Sequence, residues 1–304
     1  MTGVRKIGTG VPAASNSQNH GAHAPEGMTL FDHIYDQPDP RAYFRVLGSL
    51  EYQTPHDGQG MFRRALSACE QTEPAAEPAT VLDICCSYGI NAALLNHHVT
   101  LDDLYEHYTS PQATALTTAE LIEWDRDYYA ARRRHDAARV IGVDIAANAI
   151  SYAHAVGLLE EGFAENLETA APSSALCRAL LHTRLITITG GATFLSPRTF
   201  KAVLAHVHRP VWVAAFVLRT TSYASIAAYL TSHGLVTEKT ITHTFAQRRF
   251  TDADEQQHAI AAVIAAGEDP RGKETCGYFH TSLHLSRPQE HATAFLLTDL
   301  MPSL

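Results

Sequence analysis

Three observations predict an α/β fold with a mostly parallel sheet. From Thr80 onward, apolar strand-like runs alternate with helical runs, the pattern of a sheet covered on both faces. Two of the strand runs, "TVLDICC" and "RVIGVDIA", carry an acidic residue at the strand end, Asp83 and Asp144, and each leads through a turn into a helix. Two closing strand runs, "LVTEKTITHTFAQRRF" and "GYFHTSLHLSRP", predict a terminal antiparallel hairpin from about Leu235 to Ser286.

The elements follow in order. Residues 1–28 are Gly, Ala, Ser, Asn and Pro without periodicity and read as a disordered tail. Residues 29–75 form an N-terminal helical segment, with helices near 41–50 and 60–70 and a break at Pro55, before the Pro-rich link "TEPAAEP". Residues 76–290 make the α/β domain. Its strands are "TVLDICC", "RVIGVDIA", "RLITITGG" and "PVWVAAFVL"; Pro197 opens one helix, and Gly157 and Gly234 close two others. Residues 291–304 are a C-terminal tail.

Asp83 and Asp144 are separated by about twice the ~30 residues that a strand–helix–strand unit needs. The surplus, 99–138, is a helical insertion after the first strand–helix unit. It starts its helices at Thr100/Asp103 and at the capping box Thr117/Glu120, and its second helix carries Leu121, Trp124 and Tyr128 on one face. A helical pair packed on the sheet edge is the expectation; a lid over a ligand is the alternative.

Composition excludes several classes. A chain of 304 residues with 45% hydrophobic and 18% charged residues is an ordinary globular protein, and a net charge of −9 disfavours nucleic acid as a partner. The basic run "ARRRHDAAR" reads as the solvated end of a helix. Five cysteines without a CxxC suit free thiols and a cytoplasmic location, and the N-terminus shows no apolar export signal. No run is apolar enough to span a membrane. The eighteen histidines lack ligand spacing, so no metal is expected.

The loop after Asp83, "ICCSYGINAALL", lies where open α/β sheets bind ligands. It keeps a glycine at Gly89 but has Cys85 and Ser87 where a dinucleotide loop has glycines, so a pyrophosphate is excluded. A cofactor without phosphate, such as S-adenosylmethionine, tolerates bulkier residues there. Asp144 suits a carboxylate accepting from both ribose hydroxyls, and Glu165-Asn166 suit the adenine amino group. With no base beside them, Cys85 and Cys86 read as packing rather than nucleophiles.

Here the chain resembles the class I S-adenosylmethionine-dependent methyltransferases over about residues 80–285, including a bacterial subgroup with a CSYG loop. The resemblance implies a Rossmann-like methyltransferase fold. It places the first motif on Asp83, Cys85, Ser87 and Gly89, the ribose ligand on Asp144 with Ile145 beside it, and the adenine contact on Glu165 or Asn166. The segment "TITGG", with Thr189 and Gly190, falls near the reacting methyl. That segment lacks the motif of amino-methylating enzymes, so a small-molecule acceptor is implied. Tyr43, Tyr52 and Tyr88 are candidate catalytic residues, each with aromatic packing as the alternative. Arg219 and Tyr223 are candidates for gripping a carboxylate-bearing acceptor, against a salt bridge at the sheet margin. Two alternatives share this fold: cyclisation of the cofactor to azetidine-2-carboxylate and methylthioadenosine, and a cofactor-binding protein without turnover. The sequence specifies no oligomeric state.

Overall fold

The computed structural model describes residues 27–72, 74, 79–241 and 243–301. Residues 1–26 of the tail expected at 1–28 and most of the Pro-rich link lie outside the described residues; Met28, at the tail's end, is instead packed against Leu218, Ala259 and Phe279.

Among the described residues, eight strands form one sheet: β1 (Thr80–Ile84), β2 (Arg139–Asp144), β3 (Glu161–Ala164), β4 (Thr183–Ile188), β5 (Trp212–Leu218), β6 (Leu235–Lys239), β7 (Phe245–Arg249) and β8 (Tyr278–Pro288). The order is β3-β2-β1-β4-β5-β8-β6, with β7 also paired to β8. The pairs among β1 to β5 are parallel, and β8 runs antiparallel to β5, β6 and β7. This is the Rossmann-like methyltransferase fold that the resemblance implied. β1, β4 and β5 are buried along their whole length, as continuous apolar runs in a two-sided sheet must be. β3 escapes sequence reading because its four residues are half-buried or exposed and carry no apolar run. The run at 235–250 is two strands: β6 pairs with residues 284–288 of β8 and β7 with residues 278–281.

Among the described residues, three helices precede the sheet: α1 (Asp32–Tyr35), α2 (Arg41–Ser49) and α3 (Thr54–Thr72). Pro55 does not break α3 but stands in its first turn, where a missing N–H leaves no bond unmade. α4 (Ile90–Asn96) follows β1, and the insertion holds α5 (Leu101–Thr109), α6 (Pro111–Ala115) and α7 (Thr118–Ala130). Both expected N-termini form capping boxes, Thr100 with Asp103 and Thr117 with Glu120. The insertion's aromatic face is internal. His107 stacks on Trp124 at 4.0 Å, and Asp125 is fully buried with His107, Tyr108 and Tyr152 on its carboxylate.

The remaining helices are α8 (Ala147–Ala155), α9 (Ser174–Ala179), α10 (Pro197–Leu204), α11 (Ala224–Ser232), α12 (Ala253–Ala265), α13 (Gln289–Ala294) and α14 (Leu297–Leu300). The expected tail from 291 is instead packed structure over its described part: Leu300 is buried, and its carbonyl accepts from Arg64 Nε at 2.6 Å. Among the described residues, no helix is long and apolar enough to cross a membrane.

Candidate functional site

The carboxyl ends of β1, β2 and β4 open into one cavity of about 590 Å³, within the usual range for small-ligand sites. The loop after β1 forms its floor. Cys85 and Ser87 adopt φ values of +57° and +50°, and Gly89 adopts +75°. The first two are non-glycine residues in left-handed backbone, a strain of about 1–3 kcal/mol each. Hydrogen bonds over-determine the loop. Cys85 N donates to Val143 O (2.8 Å), Ser87 N to Asp144 Oδ2 (2.8 Å), and Gly89 N to Cys86 O (2.9 Å). The glycines absent from the loop reappear beside it. A Cβ on Gly191 would stand 2.2 Å from Cys85 Sγ, and one on Gly142 would stand 2.7 Å from Cys86 Sγ. Burial, then the carboxylates of Asp144 and Asp83, push both thiols well above their ordinary range. They are packing groups, as the sequence suggested.

Asp144 closes β2. Its Oδ2 accepts from Ser87 N and its Oδ1 from Ala146 N at 2.9 Å, which aligns the carboxylate along the cavity wall. Ile145 follows it, an apolar side chain left 38% exposed at the cavity. Glu165 and Asn166 line the next side; Glu165 accepts from Ser173 N and Asn166 from Glu168 N, so both are held in place. Thr189 and Gly190 complete the floor beyond β4.

The N-terminal segment makes the roof. Thr29 N donates to Glu255 Oε1 (2.8 Å) at one end. At the other, Gln37 N donates to the Tyr88 hydroxyl (2.9 Å), and Asn148 N donates to Asp36 Oδ1 (2.8 Å). Phe31 and Tyr35, between these anchors, and Tyr43 and Tyr52, in and just after α2, line the cavity. The Tyr52 hydroxyl lies against Gly190, where an added Cβ would be 3.0 Å away. Burial pushes the Tyr52 phenol up to about 12, and burial together with neighbouring tyrosines raises Tyr43 well above its usual value. These phenols are neutral donors and ring faces, not bases.

Several expectations need correction. Asp83 does not line the cavity. It is fully buried one side chain behind it, with Oδ1 accepting from Asn91 Nδ2 (2.8 Å) and Thr187 Oγ1 (2.7 Å). Gly89 sits where the chain turns into α4, and a Cβ there would press on Ala153 and Leu158 rather than on a ligand. Tyr88 is 1% exposed, and its hydroxyl reaches the carbonyls of Ile34 and Gln37, so it fastens the roof instead of meeting a ligand. Arg219 is buried and committed: Nε to Glu268 (2.7 Å), Nη1 to Glu274 (2.6 Å) and Nη2 to the Asp269 carbonyl (2.9 Å). Tyr223 packs on His284, also away from the cavity. The insertion 99–138 contributes no residue to the cavity lining; the segment from Met28 to Pro55 covers it. No cluster of three or more potential metal ligands occurs among the described residues.

Sequence reading missed Asn91, Tyr35, Gln247 and Arg248, all of which line the cavity. A lone amide in the apolar run "INAALL" was the available signal for Asn91. Gln247 and Arg248 arrive through the pairing of β7 with β8, for which local periodicity gives no sign.

Burial raises Asp83 to about 7 from an ordinary 3.8, against the lowering effect of its bonds from Asn91 and Thr187. The native state therefore holds this proton more tightly than the unfolded chain. Its contribution to stability is greatest below about pH 4, falls as pH rises from about 4 to about 7, and is level above that. Asp83→Asn keeps an oxygen for Asn91 and Thr187 and cannot ionise. It should remove this loss, so the variant gains stability on the native protein between pH 5 and pH 8. Urea unfolding of both proteins at the two pH values checks this; parallel losses would show that Asp83 does not titrate there.

No protein-family profile matches the chain, and no curated protein does. Several solved structures resemble it weakly. The plantazolicin methyltransferase BpumL, in complex with a triazolic desmethylPZN analog and SAH, shares 12% identity over 83% of this chain and 92% of its own, with a TM-score of 0.40. The N-methyltransferase NodS from Bradyrhizobium japonicum WM9, in complex with S-adenosyl-L-homocysteine, shares 11% over 85% and 96%, with a TM-score of 0.41. The YcgJ protein from Bacillus subtilis shares 12% over 74% and 97%, with a TM-score of 0.40. At such low similarity, the reading of the site rests on its own geometry.

Proposed function

We propose that this protein binds S-adenosylmethionine and transfers its methyl group to a small molecule. The observation that carries this reading is the set of polar groups around one cavity at the strand ends. Asp144 presents a carboxylate fixed by two backbone N–H groups, while Ser87 Oγ and Asn91 Oδ1 are buried without hydrogen-bond partners among the described residues. Buried polar atoms are rarely left unpaired, and these two fit the polar methionine end of the cofactor.

Asp144 would hold the ribose hydroxyls, Ile145 and Leu167 the faces of the adenine, and Asn166 its edge. Thr189, Gly190 and Asn91 would hold the methionine end. When bound, the cofactor supplies a methyl group activated by its sulfonium charge. The chain's own contribution is positioning and exclusion of water. Tyr43 and Tyr52 offer ring faces that favour a cation, and the roof anchored at Thr29 and Gln37 covers part of the cavity.

A second reading, cyclisation of the cofactor to azetidine-2-carboxylate, has one observation in its favour. The amine must be held with its lone pair toward the γ-carbon, and Asn91, which Asp83 fixes at 2.8 Å, brings to the cavity lining an Oδ1 without a partner among the described residues that can accept an amine N–H. Mass spectrometry after incubation with S-adenosylmethionine and candidate acceptors separates the readings. Methyl transfer gives S-adenosylhomocysteine and a methylated acceptor, whereas methylthioadenosine without an acceptor gives the chemistry to cyclisation. Tight binding with neither product would leave a cofactor-binding protein without turnover.

A further inference from the structure

The roof side of the cavity, away from Asp144, has a chemistry of its own. Tyr43 stands edge-to-face with Tyr35 and with Tyr52, at centroid distances of 5.7 and 6.4 Å. Beyond these rings, β7 places Gln247 and Arg248 in the wall. Both oxygens of Glu255 hold the Arg248 guanidinium, at 2.7 and 3.0 Å, and its flat face lies 5.1 Å from the centre of the Phe31 ring. That positive charge is already neutralised. An anion entering here would lose its water and meet a cation committed elsewhere, an unfavourable exchange. Gln247 is 4% exposed, yet its Oε1 has no hydrogen-bond partner among the described residues. A buried amide oxygen in that state is destabilising, and a ligand N–H or O–H would relieve it.

We propose that this side receives an uncharged, flat ring compound, packed among the tyrosines and donating one hydrogen bond to Gln247 Oε1. That such a compound is the methyl acceptor rests on the cofactor reading above; the ring site itself does not. The proposal replaces the carboxylate-bearing acceptor expected from Arg219, whose guanidinium is spent on Glu268 and Glu274.

The probes are indole, benzofuran and benzoate, titrated into the full-length protein by ligand-observed NMR, with and without S-adenosylhomocysteine. Indole and benzofuran share a shape, but benzofuran has no N–H to donate. Indole should bind about tenfold more tightly than benzofuran, the factor that one buried hydrogen bond supplies, and benzoate more weakly than either. Gln247→Leu should erase the preference for indole, while Gln247→Glu, which keeps an acceptor, should retain it; circular dichroism reports whether each variant is folded. Equal affinity of indole and benzofuran for the native protein, strongest binding of benzoate, or no binding of any probe would each overturn the proposal. Calorimetry with S-adenosylhomocysteine on the same samples reports on the cofactor separately. An intact indole preference without cofactor binding sinks the cofactor reading and keeps the ring site, and the reverse result does the opposite.

Discussion

Asp144→Ala should weaken S-adenosylhomocysteine binding by about a hundredfold or more. Two effects act in the same direction. The variant loses charge-assisted hydrogen bonds to the ribose, each about 1.5–3 kcal/mol and not strictly additive. It also loses the acceptor for Ser87 N, one of the bonds that hold the loop after β1 in left-handed backbone at Cys85 and Ser87. Each of those residues stores about 1–3 kcal/mol of strain. Without Asp144 the loop can relax away from the shape the ligand needs. Asp144→Asn keeps one acceptor oxygen and should lose less, on the order of tenfold. Isothermal calorimetry on both variants measures this. Native affinity in the alanine variant would remove Asp144 from the site and, with it, the main support for the cofactor reading.

What the sequence revealed of this site follows from how locally each part is encoded. Asp83 and Asp144 were legible because each closes or nearly closes a buried strand, Asp83 one residue before the end of β1 and Asp144 at the end of β2, and the fold places strand ends together. The sequence assigned unrestricted backbone freedom to Gly89 alone, yet Cys85 and Ser87, at the positions aligned with glycines, also take positive φ despite carrying side chains. The alignment did not separate ligand contact from scaffolding. Asp83 and Gly89 belong to the loop's support, and only the packing around them shows it.

The roof was harder to read. An aromatic stripe at helical spacing in the insertion is compatible with a lid, but Leu121 and Tyr129 are buried in the same core cluster as Phe44, Val81 and Tyr88. The cover is the segment from Met28 to Pro55, and its first helix, α1, has four residues, too few for any periodicity to register. Gln247 and Arg248 reach the cavity from β7, more than one hundred and fifty residues from the loop they face. Contacts of that range are set by strand pairing, which no window of sequence contains.

Arg219 shows the same limit at a single residue, and its replacement should have the largest effect on stability. The sequence places it at the end of β5, on the ligand side of the sheet, where it could grip a carboxylate. In the structure its guanidinium lies between Glu268 and Glu274, and the Glu274 side chain is fully buried. Arg219→Met would leave that carboxylate in a low-dielectric site without its counter-charge, which costs about 3–5 kcal/mol. The Arg219→Met/Glu274→Gln double variant removes both charges and should recover a large part of the loss, because breaking a buried pair is worse than replacing it. Urea unfolding of the native protein, both single variants and the double variant measures the coupling. Calorimetry with S-adenosylhomocysteine on the folded fraction of Arg219→Met should give native affinity, since this side chain does not line the cavity. A variant as stable as the native protein that no longer binds would reverse the assignment and return Arg219 to the ligand.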